Sequence, residues 1–218
     1  MWYSKDTADA LGLSGNFNTL VRTESDSACN CGFEDAFDYP IGLRPCDGEI
    51  TAQEKENGFH KVQCDFENGI TVLEQFETFK DCAAIRQINT VKNNGTNAVI
   101  LRHLSSGRIQ IETDGTISWD SPDRFCLYIC RQGWATEGQW KKVTLRELGL
   151  GAANLGWTRT SVRLRSEGSW TTAYHYPLLI TEDKEKNTAY FIENKSGGTW
   201  EIQLGKMENM LYVDCRLQ

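Results

Sequence analysis

The fold is decided by the stretch Ser161-Val162-Arg163-Leu164-Arg165, in which apolar and charged residues alternate. A period of two residues places the apolar side chains on one face of an extended strand and the charged side chains on the other. The same alternation recurs in Ile109-Gln110-Ile111-Glu112-Thr113 and in Trp200-Glu201-Ile202-Gln203-Leu204. We therefore predict a half-buried β-strand at each of these places.

Near-continuous apolar runs indicate a second kind of strand, covered on both faces. The runs are Ala98-Val99-Ile100-Leu101, Phe125-Cys126-Leu127-Tyr128-Ile129 and Ala189-Tyr190-Phe191-Ile192. Short turn signals rich in Asn, Asp, Ser and Gly separate the strands at hairpin-like spacing. Examples are Glu67-Asn68-Gly69, Asn93-Asn94-Gly95, Ser105-Ser106-Gly107, Asp114-Gly115, Asp183-Lys184-Glu185-Lys186-Asn187 and Ser196-Gly197-Gly198.

Together these patterns predict an all-β protein, built as one large antiparallel two-sheet β-sandwich of about a dozen strands. At most two short helices are expected, at Asp6–Leu13 and at Thr144–Gly149, where Gly149 is a candidate C-cap. A chain of 218 residues is long enough for one large domain, so we expect residues 1–218 to form a single β-sandwich domain.

The charge balance excludes one class of partner. The chain has 23 Lys and Arg against 30 Asp and Glu, a formal net charge of −7. Because nucleic-acid binding needs a basic stripe that displaces counterions, we predict no nucleic-acid partner. The sequence has neither a long apolar run nor the order of a secretory signal, which favours a soluble cytoplasmic protein without a membrane partner. The eight cysteines are accordingly predicted to be free thiols.

Acid–base chemistry has little support in the sequence. A glycosidase needs two carboxylates about 5–9 Å apart. Asp120 and Asp123 lie in a Pro-containing segment, where acids are typical turn residues. Glu137, between Trp134 and Trp140, is a better candidate, although a carboxylate on an edge strand is the simpler interpretation. Motifs for a nucleophile elbow, a phosphate loop or a zinc site are absent, so we predict no catalytic residue, metal or cofactor.

Tryptophan offers a more specific functional signal, because the apolar C–H face of a sugar ring stacks on indole. The candidates are Trp134, Trp140, Trp157, Trp170 and Trp200. Core packing is the alternative for each of them. It is favoured for Trp200, which is in phase with Ile202 and Leu204.

The segment Glu167–Pro177 combines aromatic rings with many hydrogen-bonding side chains. This mixture suits a wet, specific contact with sugar or with another domain. A partly buried strand whose hydroxyls bind neighbouring backbone is the alternative. The predicted contact residues are Trp134, Glu137, Trp170, Tyr174, His175 and Tyr176. We interpret His175 as a hydrogen-bonding residue rather than a base, since no carboxylate lies near it in sequence.

A series of short motifs occurs in a fixed order between about Gly69 and Leu204. They are Gln75-Phe76, Ala84-Ile85-Arg86, Asn93-Asn94-Gly95, Leu101-Arg102-His103-Leu104-Ser105-Ser106, Trp134-Ala135-Thr136-Glu137-Gly138-Gln139-Trp140, Leu148-Gly149-Leu150, the stretch Arg165–Pro177, Thr188-Ala189-Tyr190-Phe191 and Gly198-Thr199-Trp200-Glu201-Ile202. In order and spacing this region resembles the N-terminal region of glycoside hydrolase family 36, the α-galactosidase family. Residues 1–50 match poorly and stay unassigned.

The resemblance implies an antiparallel β-supersandwich that precedes a (β/α)8 barrel, whose C-terminal face carries both catalytic carboxylates of a retaining hydrolase. The chain shows no alternating βαβα pattern, so we expect a fragment of a larger enzyme that lacks the barrel. The expected function is that of a non-catalytic domain which contributes to a homo-oligomer interface and to the rim of an active site for α-galactosides. An independent carbohydrate-binding β-sandwich module is the alternative, and a self-contained enzyme is a third, less favoured hypothesis.

Overall fold

The structure is a computed structural model that describes residues 21–23, 49–56, 58–66, 69–79, 81–112, 123–150, 161–195, 197–207 and 210–217. This part of the chain contains thirteen strands and no helix. The strands are β1 Val21–Thr23, β2 Glu49–Glu56, β3 Phe59–Asp65, β4 Ile70–Thr78, β5 Ile85–Asn93, β6 Leu101–Glu112, β7 Phe125–Arg131, β8 Gln139–Thr144, β9 Ser161–Ser166, β10 His175–Asp183, β11 Thr188–Glu193, β12 Trp200–Met207 and β13 Met210–Leu217. The all-β class is confirmed, while the proposed helix at Asp6–Leu13 lies outside the described residues.

The described strands form three sheets where the sequence predicts two. Their orders are β1-β6-β13-β12-β9, β11-β10-β7-β8 and β2-β3-β4-β5. The additional sheet is a meander in which every strand pairs antiparallel with its neighbour in sequence. The described residues fall into two compact units, of which the first ends at Ile109 and the second begins at Gln110.

In the first unit, the meander β2-β3-β4-β5 buries one face. Ile70, Val72 and Phe76 alternate with more exposed residues along β4 and are buried. Glu74 is buried on the same face, where its Oε1 accepts a hydrogen bond of 2.8 Å from Gln87 Nε2. The alternation therefore follows the period of a strand, with a hydrogen-bonded carboxylate among the apolar positions.

In the second unit, strands of two different sheets are in contact, because β10 touches β9 and β12. Its core includes Phe125, Leu127 and Leu179 from one sheet and Ile202 and Leu204 from the other, all fully or almost fully buried. Face-to-face contact of two antiparallel sheets is the arrangement of a β-sandwich.

The three apolar runs have different outcomes. Phe125–Ile129 forms most of β7 and is largely buried, as predicted. The prediction for Ala98–Leu101 is wrong, since the strand begins only at Leu101 and Ile100 is exposed. The prediction for Ala189–Ile192 is wrong for one face, because β11 is an edge strand whose Phe191 is 70% exposed. Hydrophobicity alone does not tell an edge strand from a central one.

The predicted turn at Thr144–Gly149 is present as a single turn. Leu148 N donates to Thr144 O over 3.2 Å, and Gly149 has a left-handed φ of 78°. The carboxylate of Glu147 accepts hydrogen bonds from the backbone N–H and the hydroxyl of Thr144. These bonds hold the pKa of Glu147 below its ordinary value. A capping interaction at the start and a left-handed glycine at the end thus delimit the turn.

Candidate functional site

Two exposed tryptophans meet at the surface of the second unit. Trp134 is 84% exposed and Trp170 is 51% exposed. Their ring centroids lie 5.8 Å apart and their planes are inclined by 73°, an edge-to-face geometry. We call these two residues the tryptophan pair. Both residues are among the contact residues predicted from the sequence, and the structure brings them together.

Trp170 lies on the loop between β9 and β10, which we call the Trp170 loop (Glu167–Tyr174). The segment is therefore a turn-rich loop up to Tyr174 and not a strand, and the strand β10 begins only at His175. Gly168 has a φ of 86°, a left-handed conformation that favours glycine, and its N–H donates to Thr199 Oγ1 over 2.9 Å.

Hydrogen bonds from buried residues hold the Trp170 loop from beneath. Ser166 Oγ donates to the carbonyl of Trp170 over 3.0 Å and accepts from the N–H of Ala173 over 2.9 Å. The indole N–H of the fully buried Trp200 donates to the carbonyl of Thr171 over 2.6 Å. The backbone of the loop is thus bound to the core while the Trp170 ring stays at the surface.

Trp134 lies on the loop between β7 and β8, where the chain reverses in a tight turn closed by a 3.1 Å bond from Thr136 N to Gly133 O. Ala135 has a φ of 59°, which is unusual for a residue with a Cβ atom. Gly138 adopts a φ of 72° before the chain enters β8. The left-handed residues and the hydrogen bond define the tight turn that carries Trp134.

The remaining predicted contact residues lie on the two loops that carry the pair or at the start of β10, and they differ in their environment. Tyr174 is exposed, and its carbonyl accepts a 3.0 Å hydrogen bond from the N–H of Gln132. Glu137 is exposed on the turn that carries Trp134, and Tyr176 is half-buried at the start of β10. The structure thus brings both loops together through a backbone bond as well as through the pair.

His175 makes a hydrogen bond of 3.0 Å between its Nδ1 and the carbonyl of Arg165. A carbonyl is an acceptor only, so Nδ1 carries the hydrogen and Nε2 is the acceptor in the neutral ring. This contact agrees with the interpretation of His175 as a hydrogen-bonding residue.

The other candidate tryptophans divide between surface and core. Trp140, on the edge strand β8, is half-exposed. Trp200 is fully buried, as its phase with Ile202 and Leu204 predicts. Trp157 lies outside the described residues.

Two charged clusters in the second unit have no signal in the sequence. Arg124 and Asp183, 59 residues apart, form a buried bidentate pair with distances of 2.9 and 2.7 Å. Burial acts to raise the pKa of Asp183, but hydrogen bonds from Arg124 and from the N–H groups of Lys186 and Glu185 outweigh it and lower the pKa. Arg124 directly precedes β7 and Asp183 is the last residue of β10, so only the fold brings them together.

The second cluster lies at the surface. Glu182 accepts hydrogen bonds from Lys142 Nζ over 2.7 Å and from Tyr128 Oη over 3.0 Å. These contacts lower the pKa of Glu182 and raise the pKa of Lys142. Lys142 Nζ also lies 4.9 Å from the centroid of the Tyr128 ring, a cation–π contact. The mutual pairing of these groups indicates a structural role.

The described ranges hold neither a metal-ligand cluster nor a membrane-spanning helix. No group of three or more His, Cys, Asp or Glu side chains there is arranged to hold a metal ion. Within the same ranges, no helix has the length and apolar character needed to cross a membrane. All five cysteines in the described part are free thiols, namely Cys64, Cys82, Cys126, Cys130 and Cys215.

Two solved structures resemble the chain. One is the galactosidase domain of alpha-galactosidase-sucrose kinase, AgaSK, with a TM-score of 0.60 and 13% identity over 95% of this chain and 27% of that chain. The other is the GH36 alpha-galactosidase AgaA from Geobacillus stearothermophilus in complex with 1-deoxygalactonojirimycin, with a TM-score of 0.54 and 12% identity over 76% of this chain and 22% of that chain. The chain shares the fold of these α-galactosidase regions.

The likeness confirms, at the level of the fold, the resemblance that the sequence motifs indicate. The chain spans 27% and 22% of the length of the two structures, about a quarter of each. No family model and no curated protein matches the sequence.

Proposed function

We propose that the chain is a non-catalytic domain of an α-galactosidase-like retaining glycoside hydrolase, in which residues 1–218 form one β-sandwich domain N-terminal to a (β/α)8 barrel. In this proposal the tryptophan pair contacts carbohydrate at the rim of the active site. The likeness in fold to two α-galactosidase structures supports the enzyme class. The observation that carries the proposed contact is the exposed pair itself, since two large indoles at the surface provide apolar area for a sugar ring.

The surroundings of the pair support a polar ligand rather than an apolar one. Glu137, Glu167 and Ser169 are exposed on the same two loops and can provide hydrogen-bonding groups to a ligand. Sugar-binding sites combine stacking surfaces with such groups. The same surface is also proposed to contribute to a homo-oligomer interface, since amphipathic aromatic residues are enriched in protein contacts.

Location and other partners follow from composition. We propose a soluble, cytoplasmic enzyme without nucleic-acid or membrane partners, supported by the net charge of −7 and by the free thiols among the described cysteines.

The first test is an assay of the pure 218-residue chain with an aryl α-galactoside. No hydrolysis is expected, because the catalytic carboxylates are assigned to the barrel. Turnover that persists through further purification contradicts the assignment of a non-catalytic domain.

The second test uses the full-length enzyme and the variant Trp170→Ala. Loss of one stacking contact is expected to raise KM by about two- to tenfold. Phe191→Ala is the matched control, because Phe191 is an exposed aromatic residue on β11 that has no part in the pair. If Trp170→Ala and His175→Ala both leave KM, kcat and oligomeric state unchanged in a folded enzyme, the proposed contact is wrong.

An independent carbohydrate-binding module is the second candidate function. It is favoured by the location of both indoles on this chain, because a complete stacking surface needs no other domain. Calorimetric titration of the isolated chain with galactosides distinguishes the two. A module binds sugar alone, whereas a rim domain binds only as part of the enzyme.

A further inference from the structure

Ser166 is a buried serine whose hydroxyl group binds the Trp170 loop. It is the last residue of β9 and is fully buried, in register with Trp200 of β12. Its hydroxyl contacts the Trp170 loop twice, as donor to the carbonyl of Trp170 and as acceptor from the N–H of Ala173. One oxygen atom therefore ties together two points of the loop.

The two hydrogen bonds fix the backbone at Trp170 itself and three residues later at Ala173. The N–H of Ala173 also donates to the carbonyl of Trp170 over 3.1 Å, which closes a turn over residues 170–173. Ser166 lies below this turn and uses both its donor and its acceptor on it. A hydroxyl can donate and accept at one atom, and alanine can do neither.

Rigidity at this point matters for the proposed contact. A side chain that is already ordered loses less conformational entropy on binding than a mobile one. Trp134 sits on a turn held in a left-handed conformation at Ala135, so its half of the pair is constrained independently of Ser166. The position of Trp170 relative to Trp134 thus depends on how firmly the Trp170 loop is held.

We infer that Ser166 is a positioning residue that pre-organises the tryptophan pair for carbohydrate. The identity of the ligand rests on the proposed function. The role of Ser166 in holding the tryptophan pair does not depend on that ligand. Ser166 does not contact the ligand; it acts through the backbone of the Trp170 loop.

The test compares Ser166→Ala with Ser161→Ala in the full-length protein. Ser161 is an equally buried serine on the same strand, and its hydroxyl accepts from Gln203 Nε2 over 2.9 Å, away from the Trp170 loop. Two coupled indoles give an exciton couplet in circular dichroism, and Trp134→Phe defines the spectrum without it. The second readout is KM for an aryl α-galactoside, together with kcat.

Ser166→Ala is expected to weaken the couplet and to raise KM about three- to tenfold with a smaller effect on kcat. Ser161→Ala is expected to leave both unchanged even if it lowers the unfolding temperature. Ser166→Cys keeps the size and a weak donor and acceptor, so an intermediate result is expected. It serves in place of the alanine variant if that variant fails to fold.

The outcomes separate the two proposals. An intact couplet with an unchanged KM in Ser166→Ala overturns the positioning role. A weakened couplet with unchanged KM in Ser166→Ala, Trp170→Ala and Trp134→Phe supports the positioning of the pair and overturns the carbohydrate contact. Equal loss of the couplet in Ser166→Ala and Ser161→Ala assigns the effect to general destabilisation and overturns the specific role of Ser166.

Discussion

The buried pair of Arg124 and Asp183 gives the sharpest prediction for stability. The perturbation is Asp183→Asn, which keeps the shape of the side chain and removes its charge. In the native protein the side chains of Arg124 and Asp183 are 2% and 0% exposed, and two short hydrogen bonds join them. The variant leaves the guanidinium buried, with Glu185 at 2.9 Å as the remaining carboxylate beside it.

The expected cost follows from this geometry. Removing one member of a buried, hydrogen-bonded ion pair costs about 3–5 kcal/mol, because the buried guanidinium then keeps only the half-exposed Glu185 as a counterion. In a chain of this size, 1 kcal/mol corresponds to about 2–4 °C in unfolding temperature. We therefore expect Asp183→Asn to lower the unfolding temperature by roughly 6–20 °C.

Urea and thermal unfolding followed by circular dichroism measure the effect. The matched control is Glu167→Gln, the same acid-to-amide change in a pair whose members, Arg165 and Glu167, are 58% and 50% exposed. That change should cost less than about 1 kcal/mol. The double variant Arg124→Met with Asp183→Leu should recover part of the loss, since it buries no charge. A cost of Asp183→Asn no larger than that of the control refutes the reasoning.

Three further predictions concern pH, thiols and glycine. Because the pKa of Asp183 is lowered in the folded state, the ionised carboxylate stabilises the protein above the unfolded pKa of about 3.9, and this stabilisation is lost as the pH falls through the folded pKa. Urea unfolding at a series of acidic pH values should therefore show that Asp183→Asn loses less stability with falling pH than the native protein does. In the native protein a thiol reagent should modify the exposed Cys82 much faster than Cys64, because burial raises the pKa of the Cys64 thiol to about 11. After denaturation without reductant, all eight cysteines should react. Mass spectrometry of labelled peptides checks both results. Gly168→Ala should destabilise the protein by about 1–2 kcal/mol because φ is 86° there, whereas Gly197→Ala, at a position with equally open space and no left-handed φ, should be close to neutral in urea unfolding.

The alternation in sequence predicts where strands lie better than it predicts which faces are covered. The stretch Trp200–Leu204 forms most of β12, and its apolar residues are buried as expected. Glu201 and Gln203 of the same strand are also buried, although their polarity predicts exposure. Glu201 lies 3.5 Å from Arg216, and Gln203 donates to a buried serine. A polar side chain can be buried when the fold supplies a partner, and that partner is distant in sequence.

The sequence likewise predicts the residues of the candidate site but not how they are arranged. The composition of the segment Glu167–Pro177 pointed to Trp170, and the sequence around Glu137 pointed to Trp134. Their pairing was not predictable, because it depends on the meeting of two loops from different strand connections. Ser166 lies in the stretch Arg165–Pro177, but its role depends on burial and hydrogen bonds that no local pattern encodes.

The different strand orders of the two units have a consequence for the course of folding. The meander of β2, β3, β4 and β5 needs only short loops to close between strands adjacent in sequence. In the second unit, β10 must find β7 across the whole of β8 and β9, and β9 must find β12 across β10 and β11. Closing long loops costs more entropy before any contact compensates, so pairings between distant strands form slowly. The meander is therefore the natural place for structure to form first, and the loops that present the tryptophan pair acquire their geometry only when the distant strands have joined.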